Sequence, residues 1–493
     1  MTRNKKMIVN CLSGAFRQLV GIVCGFILPR LLLEYYGSGV NGLVSSISNF
    51  LGFIVFLDMG VGPVVKTALY KPLANKDSVE ISKIYVFAKK FYRKIAIALL
   101  GYVILLAFIY PLFVNGHFDT LFTVSLIVII SISSFAEYFF GAVSQLLLSA
   151  DQKSFISLWI QTILTVVNCV ICVILIRTGS SIQSVKLISS TIFIINPLIL
   201  HLYIKRNYTI DCHVVLDEEP IQQKWNAFAQ HIAAVISNNV DVFLLTIFSV
   251  LENVSVYTVY YMVVGNITNL LMSAATGLES YFGNMLAQNE RKVISRSFAK
   301  IESICHMIAT IVFSITAITI VPFIRVYTES ITDVDYFVPG FGLLLVFAYW
   351  MQCLRIPYFR IIKAAGHYKE TQNGAFISLG INIVVSLCLV IQYGLIGTAI
   401  GTLLAMLFHT VYFVWYLRRN ILSRKVIYFL SHFCVDLIVF IVAYVCTRQM
   451  SPGVCSYWAW ICYAIKISCI TVLISVVLNV PFFLQKRVRI FHR

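Results

Sequence analysis

Fourteen stretches of about twenty mostly apolar residues follow one another along this chain, and few folds accept such a pattern. Crossing about 30 Å of hydrocarbon at about 1.5 Å of rise per residue takes roughly 20 helical residues, so each stretch reads as a membrane span. The spans expected are 8–33, 43–70, 92–114, 120–148, 155–176, 185–204, 225–250, 254–286, 300–327, 336–362, 373–392, 395–417, 427–447 and 457–481. Several exceed what a straight crossing needs, which implies tilt or projection beyond the membrane. Strands of a membrane barrel would show about ten residues of strict alternation, a pattern absent here. With 59% hydrophobic and 12% charged residues among 493, a soluble domain is excluded, since charged residues there run near about 25%. The expected fold is an all-α polytopic membrane protein of fourteen transmembrane helices. The thirteen cysteines lie mostly inside apolar runs and read as small buried hydrophobes.

Charge distribution orients the spans. Loops on the side of the amino terminus hold 28 of the 38 Lys and Arg, whereas the opposite loops hold Arg30, Arg177, Lys186, Arg325 and Arg448. The excess of basic residues marks the cytoplasmic side, so both termini are expected there. The net charge of +17 follows these loops rather than a groove, and no nucleic-acid partner is expected.

The chain also repeats itself. Ala15-Phe16-Arg17-Gln18 returns 212 positions later as Ala227-Phe228-Ala229-Gln230. Leu73-Ala74 followed by Ile81-Ser82-Lys83 returns 213 positions later as Leu286-Ala287 followed by Ile294-Ser295-Arg296. Ser149 to Lys153 is echoed by Ala364 to Lys369 at nearly the same offset. Three matches in order at one offset indicate duplication. Six spans separate the repeat starts, so the halves enter the membrane in the same direction, as parallel repeats do. The expected organisation is an amino-terminal six-helix bundle at 1–204, a cytoplasmic linker at 205–224, a second bundle at 225–417, and two further helices with a basic tail at 418–493.

The run Phe56-Leu57-Asp58-Met59-Gly60-Val61-Gly62, followed by Lys66, Tyr70 and a basic loop, resembles the second helix of polysaccharide-transport flippases in the multidrug/oligosaccharidyl-lipid/polysaccharide exporter superfamily. So does Asn238-Asn239-Val240-Asp241-Val242-Phe243 with Val254 to Tyr257 and Tyr260-Tyr261. The resemblance is strongest to O-antigen and capsule repeat-unit flippases, and more distant to the lipid II flippase and the drug-extruding branch. It implies two six-helix bundles that rock about a central cavity. It also implies a substrate, an undecaprenyl-pyrophosphate-linked sugar moved from inner to outer leaflet, with membrane lipids and a polysaccharide polymerase or ligation complex as partners.

Charges inside apolar spans are costly and therefore expected to face a cavity or a partner. Arg17, roughly nine residues into the first span, is the first candidate for the pyrophosphate, because a guanidinium matches phosphate oxygens in a planar fork. Arg355 and Arg360 in the tenth span could extend that cationic surface, with snorkelling to the interface as the alternative. Gln18, His231, Asn238 and Asn239 are candidates to line a polar cavity, with interhelical hydrogen bonding as the alternative. Asp58 and Glu137 are candidates to hold a coupling proton or sodium ion; no other cofactor is expected. Lys66 and Glu279, related by the 213-residue offset, are candidates for a cytoplasmic gate, and Arg30 with Asp241 for an outer one. Gly60-Val61-Gly62-Pro63 could act as a hinge, and Tyr257, Tyr260 and Tyr261 read as an interfacial aromatic belt or, second, as sugar-stacking residues.

No Walker, HExxH or paired-carboxylate site in a sizeable external domain supports an enzyme. Three other readings stay open: an ion-coupled multidrug exporter of the same superfamily, a teichoic-acid or lipid II type precursor flippase, and a non-transporting scaffold for envelope assembly.

Overall fold

The computed structural model describes residues 3–54, 61–114, 118–211, 214, 228–287, 291–450 and 456–491, and within these the chain is helical almost throughout. Seventeen α-helices are numbered in chain order. In the first half they are α1 Arg3–Gly52, α2 Val61–Asn75, α3 Ser78–Val114, α4 Thr120–Ala136, α5 Ala142–Ala150, α6 Ser154–Arg177, α7 Ile182–Asn207 and α8 Phe228–Phe248. The rest are α9 Leu251–Ala274, α10 Gly277–Ala287, α11 Arg291–Tyr327, α12 Pro339–Leu354, α13 Ile356–Ala364, α14 Tyr368–Tyr393, α15 Leu395–Asn420, α16 Ile427–Thr447 and α17 Tyr457–Phe491. They make fourteen passages, several of them interrupted. Eleven helices among the described residues are long and apolar enough to cross a membrane, so the chain is a multi-pass membrane protein.

The interruptions have local causes. α1 carries the first expected span and the start of the second, turned at Gly37, whose φ of 82° and ψ of 170° suit a residue without a Cβ. The fourth passage is α4 and α5 joined by a single π turn at Glu137–Gly141. The eighth breaks between α9 and α10, and the tenth at Arg355 between α12 and α13. Helix starts are fixed by short polar side chains. Asp77 accepts from the Val79 and Glu80 backbone N–H groups ahead of α3, and Ser181 accepts from the Ser184 N–H ahead of α7. Close helix approach is bought with small residues: a Cβ on Gly401 of α15 would lie 2.0 Å from Ser386 Oγ of α14.

By contacts the chain divides into unit 1, Met1–Ser255, and unit 2, Val256–Arg493. Most of the linker expected over 205–224 lies outside the described residues. α8 packs on α1 within unit 1. Phe243 of α8 sits 5.1 Å from Phe50 and 5.9 Å from Phe53, ring centre to ring centre. Ser46 and Thr246 share a buried 2.7 Å hydrogen bond, and Asn41 donates to Ser255. A Cβ on Gly42 would collide with the Leu251 carbonyl, so α1 and the start of α9 touch backbone to backbone.

One expectation is corrected outright. Tyr257 and Tyr260 are 3% and 0% exposed and form core rather than an interfacial belt. The Tyr260 hydroxyl donates to the Tyr336 carbonyl and accepts from the Val338 N–H, pinning the segment ahead of α12. A tyrosine whose polar tip finds partners inside the fold need not seek the interface.

Candidate functional site

A cavity of about 480 Å³ opens inside unit 1, walled by α1, the α4–α5 passage, α6 and α7. Its volume falls within the range of about 300–1,000 Å³ usual for small-ligand sites. Arg17 and Ser48 come from α1, Ser133, Ser134, Glu137 and Gln145 from the broken passage, Gln161 and Thr165 from α6, and Asn196 from α7. A wall so rich in side-chain donors and acceptors is unusual at mid-span, where unsatisfied polar groups are expensive.

Arg17 makes no ion pair or hydrogen bond among the described residues, and its side chain is exposed to the cavity. α1 is open on either side of it: a Cβ on Gly14, Gly21 or Gly25 would meet nothing within 4 Å. Placed in lipid, an unpaired arginine at a helix centre costs about 3 kcal/mol, so open polar space is the condition for its presence. Glu137 faces the same cavity and is held from two sides, by Gln145 Nε2 at 2.7 Å and by the Asn196 side chain. The other end of that amide, Asn196 Oδ1, is buried without a hydrogen-bond partner.

The π turn sets this arrangement. Gln145 follows Glu137 by eight residues, whereas a regular α-helix returns to the same face after about seven. One extra residue in the turn restores the alignment. Gly141 is required there, because a Cβ would lie 2.8 Å from Pro197 Cβ of α7 and 3.0 Å from the Glu137 carboxyl.

At the end of unit 1 nearest the chain start, Lys6 donates to the Asp151 carbonyl at 3.0 Å, and Asn10 is bonded to Gln152 and Phe155. Asp151 also pairs with Lys153 at 2.7 Å and accepts from the Tyr208 hydroxyl at 2.5 Å. Burial alone would raise the Asp151 carboxyl, but the Lys153 and Tyr208 hydrogen bonds, with the charges of Lys153 and Lys6, hold it below its ordinary value. Burial and the adjacent carboxylate push the Tyr208 hydroxyl above its own. This clasp ties the start of α1 to the α5–α6 turn and the end of α7.

The other candidates are distributed as follows. Gln18 is half-buried beside Arg17, Asn239 is half-buried on α8, and Lys66 is half-buried on α2. Arg30 and Asp241, paired in the expectation for an outer gate, both belong to unit 1, with Asp241 4% exposed. Asp58 and Gly60 lie outside the described residues, as do the side chains of His231 and Asn238. In unit 2, Arg360 is 9% exposed, pairs with Glu279 at 3.4 Å and donates to the Met272 carbonyl at 2.7 Å. Glu279 thus already has a cationic partner in its own unit. Arg355 stands at the α12–α13 break with its Nη1 buried and without a hydrogen-bond partner, its guanidinium 6.0 Å from the Phe413 ring.

Sequence reading passed over a buried polar network in unit 2. Glu302 of α11 accepts from Arg424, ahead of α16, and from the Tyr358 hydroxyl of α13. One turn along α11, His306 Nδ1 meets Asp436 of α16 at 2.6 Å, and Ser303 meets His432 at 3.2 Å. The i, i+4 spacing of Glu302 with His306 and of His432 with Asp436 on apolar helices was the signal available.

No protein-family model and no curated protein sequence matches the chain. Solved structures do. The lipid II flippase MurJ in an inward closed conformation matches with a TM-score of 0.72 at 17% identity, over 97% of this chain and 100% of that one. An inward-facing multidrug resistance MATE family transporter of the MOP superfamily matches with a TM-score of 0.66 at 14% identity, over 82% and 94%. A eukaryotic MATE transporter, AtDTX14, matches with 0.54 at 14% identity, over 85% and 96%. The chain therefore has the helical fold that the lipid II flippase and the MATE transporters of the MOP superfamily share.

Proposed function

We propose that the chain is a flippase that carries undecaprenyl-pyrophosphate-linked oligosaccharide repeat units from the cytoplasmic to the outer leaflet by alternating access, with both termini cytoplasmic. The observation that carries this reading is Arg17, an exposed and unpaired guanidinium on the wall of an open polar cavity. A pyrophosphate supplies the anion such a group lacks, and the polar wall of Ser133, Gln161 and Thr165 offers donors and acceptors suited to sugar hydroxyls. Glu137 disfavours a second anion on its side of the cavity and so orients the substrate. The likeness to MurJ, named for a lipid-linked substrate, supports the same reading.

The test is leaflet exchange of an undecaprenyl-pyrophosphate oligosaccharide in proteoliposomes by the intact chain, Arg17→Ala and Arg17→Lys. Exchange by the intact chain, its loss in Arg17→Ala and partial retention in Arg17→Lys are expected. Equal exchange in all three removes Arg17 from the mechanism. No exchange in any, together with cation-coupled drug efflux, moves the chain to the drug-exporter reading, which Glu137 in the same cavity favours.

A further inference from the structure

α3 and α11 are the same helix twice: each has 37 residues, and their starts, Ser78 and Arg291, differ by the repeat offset. Register therefore pairs Lys89, Lys90, Arg93 and Ile97 with Glu302, Ser303, His306 and Thr310. In unit 2 this face is covered. α16 lies on it, and Glu302, Ser303, His306 and Thr310 are all 4% exposed or less. In unit 1 the same face is open. Lys90 and Arg93 are exposed, and Ile97 is 63% exposed. Among the described residues, no helix of unit 1 lies on this face as α16 does on α11.

The chemistry of the open face says what suits it. Arg93 lies on the same side of α3 as Ile97, Leu100 and Ile104, so an apolar stripe runs straight up to a cation. α7 presents a second such stripe, Ile195, Leu198 and Leu202, ending in Lys205. The π turn separates the two stripes, and Phe139 from it lies under the Arg93 guanidinium at 4.9 Å. Lys89, Arg93 and Lys205 all lie close enough to act electrostatically on His201 of α7, and every charge that does so is positive. Neither Arg93 nor Lys205 makes an ion pair among the described residues. Small and polar residues, which let a second helix approach, have been replaced here: Thr310 of α11 becomes Ile97, and Ala317 becomes Ile104.

We propose that the groove between α3 and α7 binds an anionic phospholipid, its phosphodiester held by Arg93, Lys205, Lys89 and His201 and its acyl chains lying on the Ile97 and Leu202 stripes. The lipid takes the place in unit 1 that α16 occupies on the duplicated helix of unit 2. Basic pockets at the membrane surface attract such headgroups, and the apolar stripes below set a lipid apart from a soluble anion. The proposal rests on the membrane fold alone and not on the identity of the transported substrate.

Native mass spectrometry of the full chain, exchanged into micelles with phosphatidylcholine or phosphatidylglycerol, tests it. The expected result is one retained phosphatidylglycerol per chain, bound about thirtyfold more weakly in Arg93→Ala/Lys205→Ala. Lys71→Ala/Lys76→Ala removes the same charge from α2 and the turn after it and serves as the control, with a change of under about twofold expected. Arg93→Lys should recover most of the binding, which separates a headgroup contact from a folding defect. Equal loss in the two double variants, or none in either, overturns the site in favour of diffuse attraction. Displacement of the lipid by inorganic phosphate overturns the lipid as occupant, and preferential displacement by undecaprenyl pyrophosphate assigns the groove to the transported substrate instead.

Discussion

Unit 1 and unit 2 treat charge inside apolar helices in opposite ways. In unit 1, Arg17 and Glu137 face an open cavity, and the arginine has no protein partner among the described residues. In unit 2, Glu302, His306 and Asp436 are at most 1% exposed, each held by another side chain. The difference traces to α16, which lies on α11 and brings His432 and Asp436 against Ser303 and His306 away from water. Polar groups in a membrane fold can thus serve as ligand sites or as rivets, and access to open space tells the two apart.

That distinction breaks most visibly if a rivet is removed. Asp436→Ala leaves the His306 imidazole buried and unpaired, and a loss of about 3–5 kcal/mol in unfolding free energy is expected, read by thermal or denaturant unfolding of the purified protein. Replacing Glu302 and Arg424 together by Met should cost far less than Glu302→Met alone, because the pair's desolvation offsets much of its attraction. A double variant no more stable than the single one would mean that these residues contribute something other than mutual pairing. Arg17→Ala and Glu137→Gln are expected to change stability by no more than about 0.5 and 1.5 kcal/mol, respectively, while transport falls at least tenfold. Transport that survives both would place the translocation path elsewhere.

The smallest effect concerns the Asp151 clasp. Its carboxyl is held below the ordinary value, so its contribution is complete above that value and fades as pH falls through the lowered one. The stability gap between the intact chain and Asp151→Asn should therefore be flat at neutral pH and close below about pH 4, where carboxylates ordinarily protonate. Partial exposure keeps the gap to about 1 kcal/mol or less. A gap that widened on acidification would rule out the ionised clasp.

Most of the fold was legible because hydrocarbon thickness imposes a length on every span and duplication imposes a register. Arg17 and Glu137 were legible for the same reason, as charges where charges are costly. The breaks at Glu137–Gly141 and Arg355 were not, since a π turn leaves apolar periodicity shifted by a single residue. The Asp436 and His306 pairing was hidden because it joins helices 130 residues apart with no repeat partner to compare. The tyrosines of α9 misled because an aromatic hydroxyl satisfied by the Tyr336 carbonyl looks, in sequence, like one bound for the interface.

The five-residue turn at Glu137–Gly141 has a consequence for how this chain can vary. Removing one residue between Glu137 and Gly141 would let α4 and α5 fuse into continuous α-helix and leave Gln145 seven residues after Glu137, which keeps the two on one face. Substitution within the segment is comparatively free, except at Glu137, which faces the cavity, at Phe139 under the Arg93 guanidinium and at Gly141. Its length can change only by that one residue, so homologous chains that keep this cavity should carry the five-residue turn or lack a single residue of it, with no other insertion or deletion inside it.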